Sequence, residues 1–180
     1  QKAMLLEHKK RITDELRQIY DHKLDAVKIR VHGDLQLEKV LFTGNSFVLF
    51  NFEGDRTRSF SELRLRKSPV RDLASLSSSL YYAALGALIT QIKPVQPNES
   101  QLLAYAEAWY DAIHSAFLEG YLPVAREAGL LPSSDEDWEL LMHTFQLERH
   151  LYELGFELQQ NRGWEAIPYC GLLRQIGAKR

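Results

Sequence analysis

The chain has 180 residues, 45% of them hydrophobic and 26% charged, which is typical of one globular domain with a proper core. Its formal net charge of −2 gives no general attraction to nucleic acid or anionic membranes. The single cysteine, Cys170, excludes an intramolecular disulfide and a cysteine-based zinc site and fits a reducing cytoplasm.

No apolar run approaches the roughly 20 residues of a membrane span, and no signal peptide is visible. We therefore expect a cytoplasmic protein with neither a membrane nor a nucleic acid as partner. Along the first 21 residues, apolar side chains recur at three- and four-residue steps. This spacing predicts an amphipathic helix from about Lys2 to Asp21, whose basic residues form a solvated face.

Two polar clusters follow neighbouring apolar stretches. Val27 to Val31 alternates apolar and basic residues, predicts a short strand and leads into the His-Gly-Asp turn at residues 32–34. Residues 39–51, with a turn at Gly44-Asn45, predict a β-hairpin that leads to the second cluster, residues 51–55. The two clusters should lie side by side. Phosphotransferases form their active site from two such clusters. One Asp deprotonates the acceptor hydroxyl, while an amide and a second Asp hold Mg²⁺.

Residues 55–67 are polar and predict a loop with a helical turn around Phe60 to Leu65. Two interpretations of their basic side chains remain open. They bind the phosphates of a nucleotide or a phosphorylated sugar, or they form surface ion pairs with nearby carboxylates. The basic residues are Arg56, Arg58, Arg64, Arg66 and Lys67, and the carboxylates are Glu53, Asp55 and Glu62.

The rest of the chain predicts helices separated by short breaks. Ser68-Pro69 is a good helix opening, prolines make residues 93–98 a connector, Gly120 ends a helix, and Ser133-Ser134 caps a long one. His143 and His150 fall on nearly one face of that long helix, but without a carboxylate set they receive no metal role. The predicted helices cover residues 68–92, 99–119, 121–128, 133–160 and 172–176. The predicted fold class is mainly α (α+β), packed helices with one small hairpin.

The His-Gly-Asp segment resembles the catalytic loop of the maltokinases, members of the aminoglycoside-phosphotransferase branch of the kinase fold. Their pattern reads roughly His-Gly-Asp-Leu-His-Leu-Gly-Gln-Val-Leu and then Asp-Phe-Glu-Gly. Two further blocks are similar, and together the blocks span nearly the whole chain in the family's order. The matching segments are residues 32–41, residues 51–54, Lys67 to Ala74, and Tyr152-Glu153-Leu154 with Trp164 and Ile167-Pro168.

The resemblance implies that residues 1–180 form a kinase-like C-terminal lobe excised from a longer protein, without the N-terminal lobe that grips the nucleotide. Mg²⁺ and ATP serve the family, but we expect no cofactor in this fragment, which alone should be inactive. Such modules are frequently fused behind a trehalose synthase, a glycoside-hydrolase-type barrel. The implied partners are that barrel or the missing lobe, together with maltose or a related sugar.

Three positions decide the catalytic expectation. Asp34 aligns with the family's catalytic Asp, but Lys39 replaces its metal-binding Gln and Asn51 its metal-binding Asp, so their summed formal charge is zero instead of −2. Mg²⁺ requires oxygen ligands, whereas an ammonium only donates. We therefore predict weak or absent kinase activity and no metal site. One rescue remains: in an extended strand Asn51 and Glu53 share a face, so that Glu53, or further on Asp55, supplies an oxygen.

The resemblance also implies a sugar pocket at the end of the long helix and structural roles for His32, Arg71 and Asp72. Phe156 replaces a Tyr and Gln160 an Asn of the family, which alters the hydrogen bonds that discriminate between sugars. Trp164 and Phe156 either contact the sugar or pack against the final helix. The candidate substrate-binding residues are Tyr152, Glu153, Glu157, Gln160 and Trp164.

Three functions follow from these observations. The first is a degenerate maltokinase module retained for binding or scaffolding. The second is an active maltose 1-phosphotransferase with Asp34 as base and Glu53 at the metal. The third is an interaction domain that docks onto the fused barrel, for which an extensive apolar face would be the sign.

Overall fold

The computed structural model describes residues 2–55, 57–91 and 99–178. Within these ranges the chain forms six α-helices and one two-stranded antiparallel sheet, which confirms the predicted mainly α fold class. The helices are α1 (Lys2–Asp21), α2 (Phe60–Leu63), α3 (Val70–Gln91), α4 (Glu99–Glu127), α5 (Asp135–Gln160) and α6 (Ala166–Gln175). The strands are β1 (Val40–Phe42) and β2 (Phe47–Leu49), preceded by a 3₁₀ turn at Leu37–Lys39.

Helix α3 is the centre of the lobe, because α4, α5 and α6 all pack against it. Its segment Val70–Thr90 is long and apolar enough to cross a membrane by length and composition, contrary to the sequence expectation. However, 61% of its most apolar window is buried inside the structure. A helix that is apolar nearly all round is expected at the middle of a helical core, and α3 occupies that place.

Among the described residues the buried apolar side chains form three clusters, one of which joins α1, α5 and α6. Ile12 of α1 is buried against α5 and α6, which confirms the predicted amphipathic helix. Gly171 permits a close approach between α6 and α5, because a Cβ there would lie only 2.5 Å from the His150 ring. These contacts fix the C-terminal half of α5, whose side chains reach the candidate site.

The hairpin is present as predicted, with strands of only three residues. Val40 pairs with Leu49 and Phe42 with Phe47, and Gly44 takes the positive φ of 97° that the turn requires. Its large apolar side chains are 41–69% exposed, and we call them the exposed hairpin surface: Leu41, Phe42, Phe47, Val48, Leu49 and Phe50.

Three predicted boundaries were wrong. Residues 27–31 form no strand but a single bridge between Ile29 and Lys67. Helix α4 continues through Gly120 and includes Pro123. A glycine inside a helix costs only about 1 kcal/mol, which the packing of Ala125 in the core offsets.

The final helix begins at Ala166 instead of residue 172, since Pro168 lies in its first turn, where proline is tolerated. The predicted connector at residues 93–98 lies outside the described residues. The cap of α5 is confirmed, because Asp137 N donates to Ser134 Oγ over 3.0 Å.

Candidate functional site

The His-Gly-Asp loop is held by a carboxylate from the first turn of α3. Asp72 accepts hydrogen bonds from His32 N at 2.6 Å and Gly33 N at 2.9 Å. Burial raises the pKa of Asp72 even though the two N–H donors oppose this. Gly33 has a φ of 84°, and a Cβ there would lie 3.4 Å from the Cα of Gly54. These contacts agree with the structural role predicted for Asp72 and fix the backbone that presents Asp34.

His32 joins the loop to the end of the hairpin. Its ring is buried, and Nε2 lies 2.8 Å from the carbonyl oxygen of Phe50, to which it donates. The other ring nitrogen, Nδ1, accepts from Asp34 N at 3.4 Å. The ring therefore orients the two polar clusters, as a structural residue does, and they lie side by side as expected.

The Asp34 carboxylate is surrounded by donors. Gln36 Nε2 donates to Oδ1 over 2.7 Å, and Arg149 Nη1 lies 3.5 Å from the same oxygen. Lys39 Nζ forms an ion pair with Oδ2 and also donates to the backbone oxygen of Asp34 at 3.1 Å. Both oxygens of this carboxylate therefore already have a donor or cation as partner.

The other two predicted nucleotide and metal positions, Asn51 and Glu53, follow the end of the hairpin. Asn51 is exposed and has a φ of 62°, and Phe52 and Glu53 form a turn. The premise that an extended strand places Asn51 and Glu53 on one face was therefore wrong. Asn is among the residues that enter this left-handed conformation most readily, which explains why the strand ends early.

This donor set does not fit Mg²⁺. An ammonium, not an oxygen ligand, stands at Asp34, and Mg²⁺ needs nearly octahedral oxygen coordination. Within residues 2–55, 57–91 and 99–178, no three His, Cys, Asp or Glu side chains are grouped so that they could hold a metal ion. No chemical step through Mg²⁺ is therefore assigned to these residues.

A cavity of about 470 Å³ lies between the His-Gly-Asp loop and the end of α5. Its charged lining residues are Asp34, Glu38, Asp55, Glu153, Glu157, Arg149 and Arg162, and its aromatic ones are Tyr82, Tyr152, Phe156 and Trp164. We call this space the acidic cavity. Of the predicted site residues it brings together Asp34, Tyr152, Glu153, Glu157 and Trp164, whereas Lys39, Asn51, Glu53 and Gln160 do not line it.

Both glutamates at the end of α5 are buried and paired. Glu153 accepts from Ser78 Oγ and from Arg149 Nε at 2.6 Å. Burial would raise the pKa of Glu153, but His150, Arg149 and Ser78 together outweigh burial and lower it. Glu157 is 3% exposed, and both of its oxygens accept from Arg162 Nη2, at 2.8 and 3.1 Å. Two oriented, charged acceptors therefore face the cavity.

Trp164 packs on α3, and contact with a sugar stays a prediction. The Trp164 ring stacks with Tyr82 at a centroid distance of 6.4 Å and packs on α3, where a Cβ at Gly86 would come within 3.4 Å of it. The same ring lines the acidic cavity. The side chain is therefore fixed by packing and can present its ring to a ligand.

Sequence reasoning missed two positioning residues, Gln36 and Arg149. Gln36 stands two residues after Asp34, so a local contact was foreseeable from spacing. Arg149 stands four residues before Glu153 on a predicted helix, and that spacing favours their ion pair. Its contact with Asp34 depends on how α5 packs against the loop, which no local pattern shows.

Asp55 belongs to a hydrogen-bonded chain at the mouth of the cavity. It accepts from Thr57 N at 3.0 Å and from Thr57 Oγ1 at 2.6 Å, and Thr57 Oγ1 lies 3.2 Å from Tyr152 OH. Arg58 Nε is 3.5 Å from its other oxygen. Burial raises the pKa of Asp55, but the donors of Thr57 and Tyr152, with Arg58, outweigh burial and lower it.

Thr57→Val is expected to raise the pKa of Asp55, because the hydroxyl donor is lost. A depressed folded-state pKa contributes stability that is present above the ordinary aspartate pKa of 3.8 and lost as the pH falls through the folded-state pKa. The variant should therefore show a smaller loss of stability on acidification over that window. A carboxyl ¹³C titration measures the pKa, with Thr43→Val in the exposed hairpin turn as the control. An unchanged Asp55 titration would contradict the assignment.

A mostly helical lobe whose central helix supports a His-Gly-Asp loop, with a small hairpin beside it, has a kinase-like fold. Three solved structures of glucosamine kinases share it. Crystal form B has a TM-score of 0.79 at 16% identity over 97% of this chain, and crystal form A has 0.71 at 19% over 94%. The complex with glucosamine, ADP and inorganic phosphate has a TM-score of 0.71 at 17% identity over 96% of the chain.

The chain spans only about two fifths of these structures, namely 40%, 39% and 41% of their lengths. No protein-family model matches the chain. At identities of 19% and below, the comparisons establish the fold alone. They confirm the kinase-like fold that the sequence resemblance implied.

Proposed function

We propose that this chain is the carbohydrate-binding lobe of a sugar-phosphotransferase-type protein in which phosphoryl transfer is weak or absent. The observation that carries the proposal is the ion pair between Lys39 and Asp34 at the edge of a cavity large enough for a sugar. Carbohydrate binding, the first half of the proposal, depends on the cavity. Weak or absent phosphoryl transfer, the second half, depends on the ion pair.

The acidic cavity has the features of a carbohydrate site. Its volume of about 470 Å³ falls within the range of roughly 300–1,000 Å³ of small-molecule sites. Glu153 and Glu157 are fixed acceptors for sugar hydroxyls, since their own partners already orient them. Trp164 and Tyr152 offer aromatic faces. Carboxylates beside an aromatic side chain are suited to orient a sugar, because they accept hydrogen bonds from its hydroxyl groups. A site of this kind discriminates between sugars through those hydrogen bonds.

The same contacts argue against efficient phosphoryl transfer. A general base must take the proton of the acceptor hydroxyl within hydrogen-bond reach. Both oxygens of Asp34 are occupied by Gln36, Arg149 and Lys39, and the residues at hand do not suit Mg²⁺. If a phosphate were bound there, Lys39 would supply a point charge, but it could not bridge two phosphate oxygens as a metal ion does. ATP and Mg²⁺ therefore belong to the ancestral chemistry in this proposal.

Two sugar classes suit the proposal. The maltokinase resemblance supports maltose or a related sugar and a parent protein fused to trehalose synthase. The names of the structural neighbours point instead to an amino sugar, glucosamine. The lining favours the second class. With Lys39 and Arg58, which pair with Asp34 and Asp55, the five carboxylates meet four cations, and an ammonium on the ligand would complement the remaining negative charge.

Calorimetric titration with glucosamine and with maltose is expected to show saturable binding, tighter for glucosamine. Glu157→Gln should weaken it about tenfold, equivalent to about 1.4 kcal/mol, because a charged acceptor becomes a neutral one. Glu139→Gln, an exposed position on the same helix, is the matched control and should leave binding unchanged. If neither sugar binds, the carbohydrate half of the proposal is wrong.

A parallel titration of the full-length protein with ATP and Mg²⁺ tests the second half of the proposal, that phosphoryl transfer is weak or absent. Weak or metal-independent binding without sugar phosphorylation is expected. Tight, Mg²⁺-dependent nucleotide binding with turnover of maltose or glucosamine would instead establish the active phosphotransferase.

A docking role is the second candidate, and the exposed hairpin surface favours it. Six large apolar side chains, each at least 41% exposed, make an unusual patch on a folded domain. The candidate partners are the N-terminal kinase lobe or the barrel of a fused trehalose synthase. Absence of both sugar and nucleotide binding, combined with loss of partner binding in Phe47→Ser, would support docking over carbohydrate binding.

A further inference from the structure

A second, smaller cavity lies beside the acidic one, separated from it by the side chains of Arg149 and Tyr152, which line both. Its volume is about 60 Å³. Because one water needs roughly 10–15 Å³ of such space, a group with about the five heavy atoms of a phosphate fits. We call this space the basic cavity.

Four cationic side chains line the basic cavity, namely Arg58, Lys67, Arg71 and Arg149, against two carboxylates, Asp72 and Glu148. The Asp72 carboxylate is used by the two N–H groups of the His-Gly-Asp loop. Glu148 is paired with Arg71 through two contacts of 3.0 and 2.8 Å. Arg58 and Arg149 pair with Asp55 and Glu153, which do not line this cavity, and the positive charge that remains is that of Lys67.

Lys67 carries that remaining charge. Among the described residues, no carboxylate lies within ion-pair distance of its Nζ, although its backbone is fixed by hydrogen bonds of 2.9 and 3.0 Å with Ile29. Burial lowers the pKa of Lys67, and the charges of Arg58 and Arg71 lower it further, which outweighs the opposite effect of Glu62 and Glu148. A half-buried ammonium beside two guanidinium groups is unfavourable without an anion.

The hydroxyl of Ser75 is an independent sign of a ligand. Ser75 is 6% exposed and lines the basic cavity, yet its Oγ has no hydrogen-bond partner within the described ranges. Buried hydroxyl groups are nearly always hydrogen-bonded, because an unsatisfied one is costly. An oxyanion in the cavity would accept this hydrogen bond together with those of Lys67 and Arg71.

The site is also preorganised. The Arg71 guanidinium stacks on Phe145 at 4.4 Å from the ring centroid and is oriented by Glu148. Arg149 is oriented by Glu153. The donors are thus held in place before a ligand arrives, which lowers the entropic cost of binding.

We propose that the basic cavity binds a phosphate group through Lys67, Arg71, Arg149 and the Ser75 hydroxyl. The site is separate from the acidic cavity and does not depend on the sugar proposed there. Free inorganic phosphate and the phosphoryl group of a phosphate monoester share the required chemistry.

Titration of the full chain with inorganic phosphate, at ionic strength held constant with chloride, tests the proposal. Saturable binding with one site is expected, and sulfate should compete because it is also a tetrahedral oxyanion. Lys67→Met should weaken binding at least about tenfold. Arg66→Met removes the same charge from the neighbouring exposed position and should change the affinity less than about twofold.

Ser75→Ala provides a second variant that is not expected to disturb folding. It should weaken phosphate binding while leaving Tm unchanged or higher without phosphate, because an unpartnered buried hydroxyl is removed. Titration with glucose 1-phosphate distinguishes the two possible ligands. Tighter binding than that of inorganic phosphate assigns the site to a phosphate monoester, and weaker binding assigns it to the free ion. No saturable phosphate binding by the unaltered chain, or equal losses in Lys67→Met and Arg66→Met, would overturn the proposal.

Discussion

Arg149→Met is expected to lower the free energy of unfolding by about 3–5 kcal/mol, the loss typical when one partner of a buried charge pair is removed. The side chain is 16% exposed and lies between the Asp34 and Glu153 carboxylates, which are themselves 17% and 10% exposed. Methionine retains much of the apolar volume, so the loss reports mainly on the two carboxylates left without their shared cation. Urea denaturation at neutral pH measures it.

Arg174→Met is the matched control. Arg174 pairs with Asp111 on the surface, where the two side chains are 34% and 53% exposed. Exposed ion pairs contribute about 0–1 kcal/mol, so this variant should remain close to the unaltered protein. Similar losses in the two variants would show that Arg149 acts through its packing alone.

Asp72→Ala is expected to destabilise the protein by about 3 kcal/mol or more, since each hydrogen bond to a charged group contributes about 1.5–3 kcal/mol. The variant removes the acceptor of the His32 and Gly33 N–H groups, which lie in the interior of the loop. Amide hydrogen exchange gives the local measurement, because protection of these two N–H groups should be lost before protection of the amides in α3.

Asp72→Asn separates the charge from the hydrogen bonds. The amide oxygen can still accept one of the two N–H groups, so about half of the destabilisation should remain. Unchanged exchange at His32 and Gly33 in Asp72→Ala would mean that another group holds the loop.

The elements with strong local signals could be predicted from the sequence. The periodicity of α1, the Ser134 cap of α5 and the Gly44-Asn45 turn each come from neighbouring residues, and the structure contains all three. Local signals failed where packing decided the outcome. Gly120 predicts a helix end, but the buried contacts of α4 keep the helix continuous.

The candidate site was likewise predicted only in part from the sequence. The resemblance located Asp34, Glu153 and Glu157, which the structure places around one cavity. The position of the Asn51 side chain depends on its positive φ angle. The Asn-Phe-Glu-Gly sequence permits this angle but does not predict it. The long-range contact between Arg149 and Asp34 joins α5 to a loop far away in the chain, so only the folded structure reveals it.

The basic cluster illustrates a mixed outcome. The surface ion-pair interpretation holds for Arg58, which lies 3.5 Å from Asp55. Glu62 instead closes the capping box of α2 with Ser59. Lys67 faces the basic cavity, a distinction that composition alone could not make.

The position of Arg149 between the two cavities has a thermodynamic consequence. A ligand that draws the guanidinium toward one side changes the field that an occupant of the other side experiences. Such coupling is reciprocal: whatever factor an anion imposes on the affinity for a sugar, the sugar imposes on the affinity for the anion. One shared side chain would thus make the lobe respond to the occupants of both cavities at once.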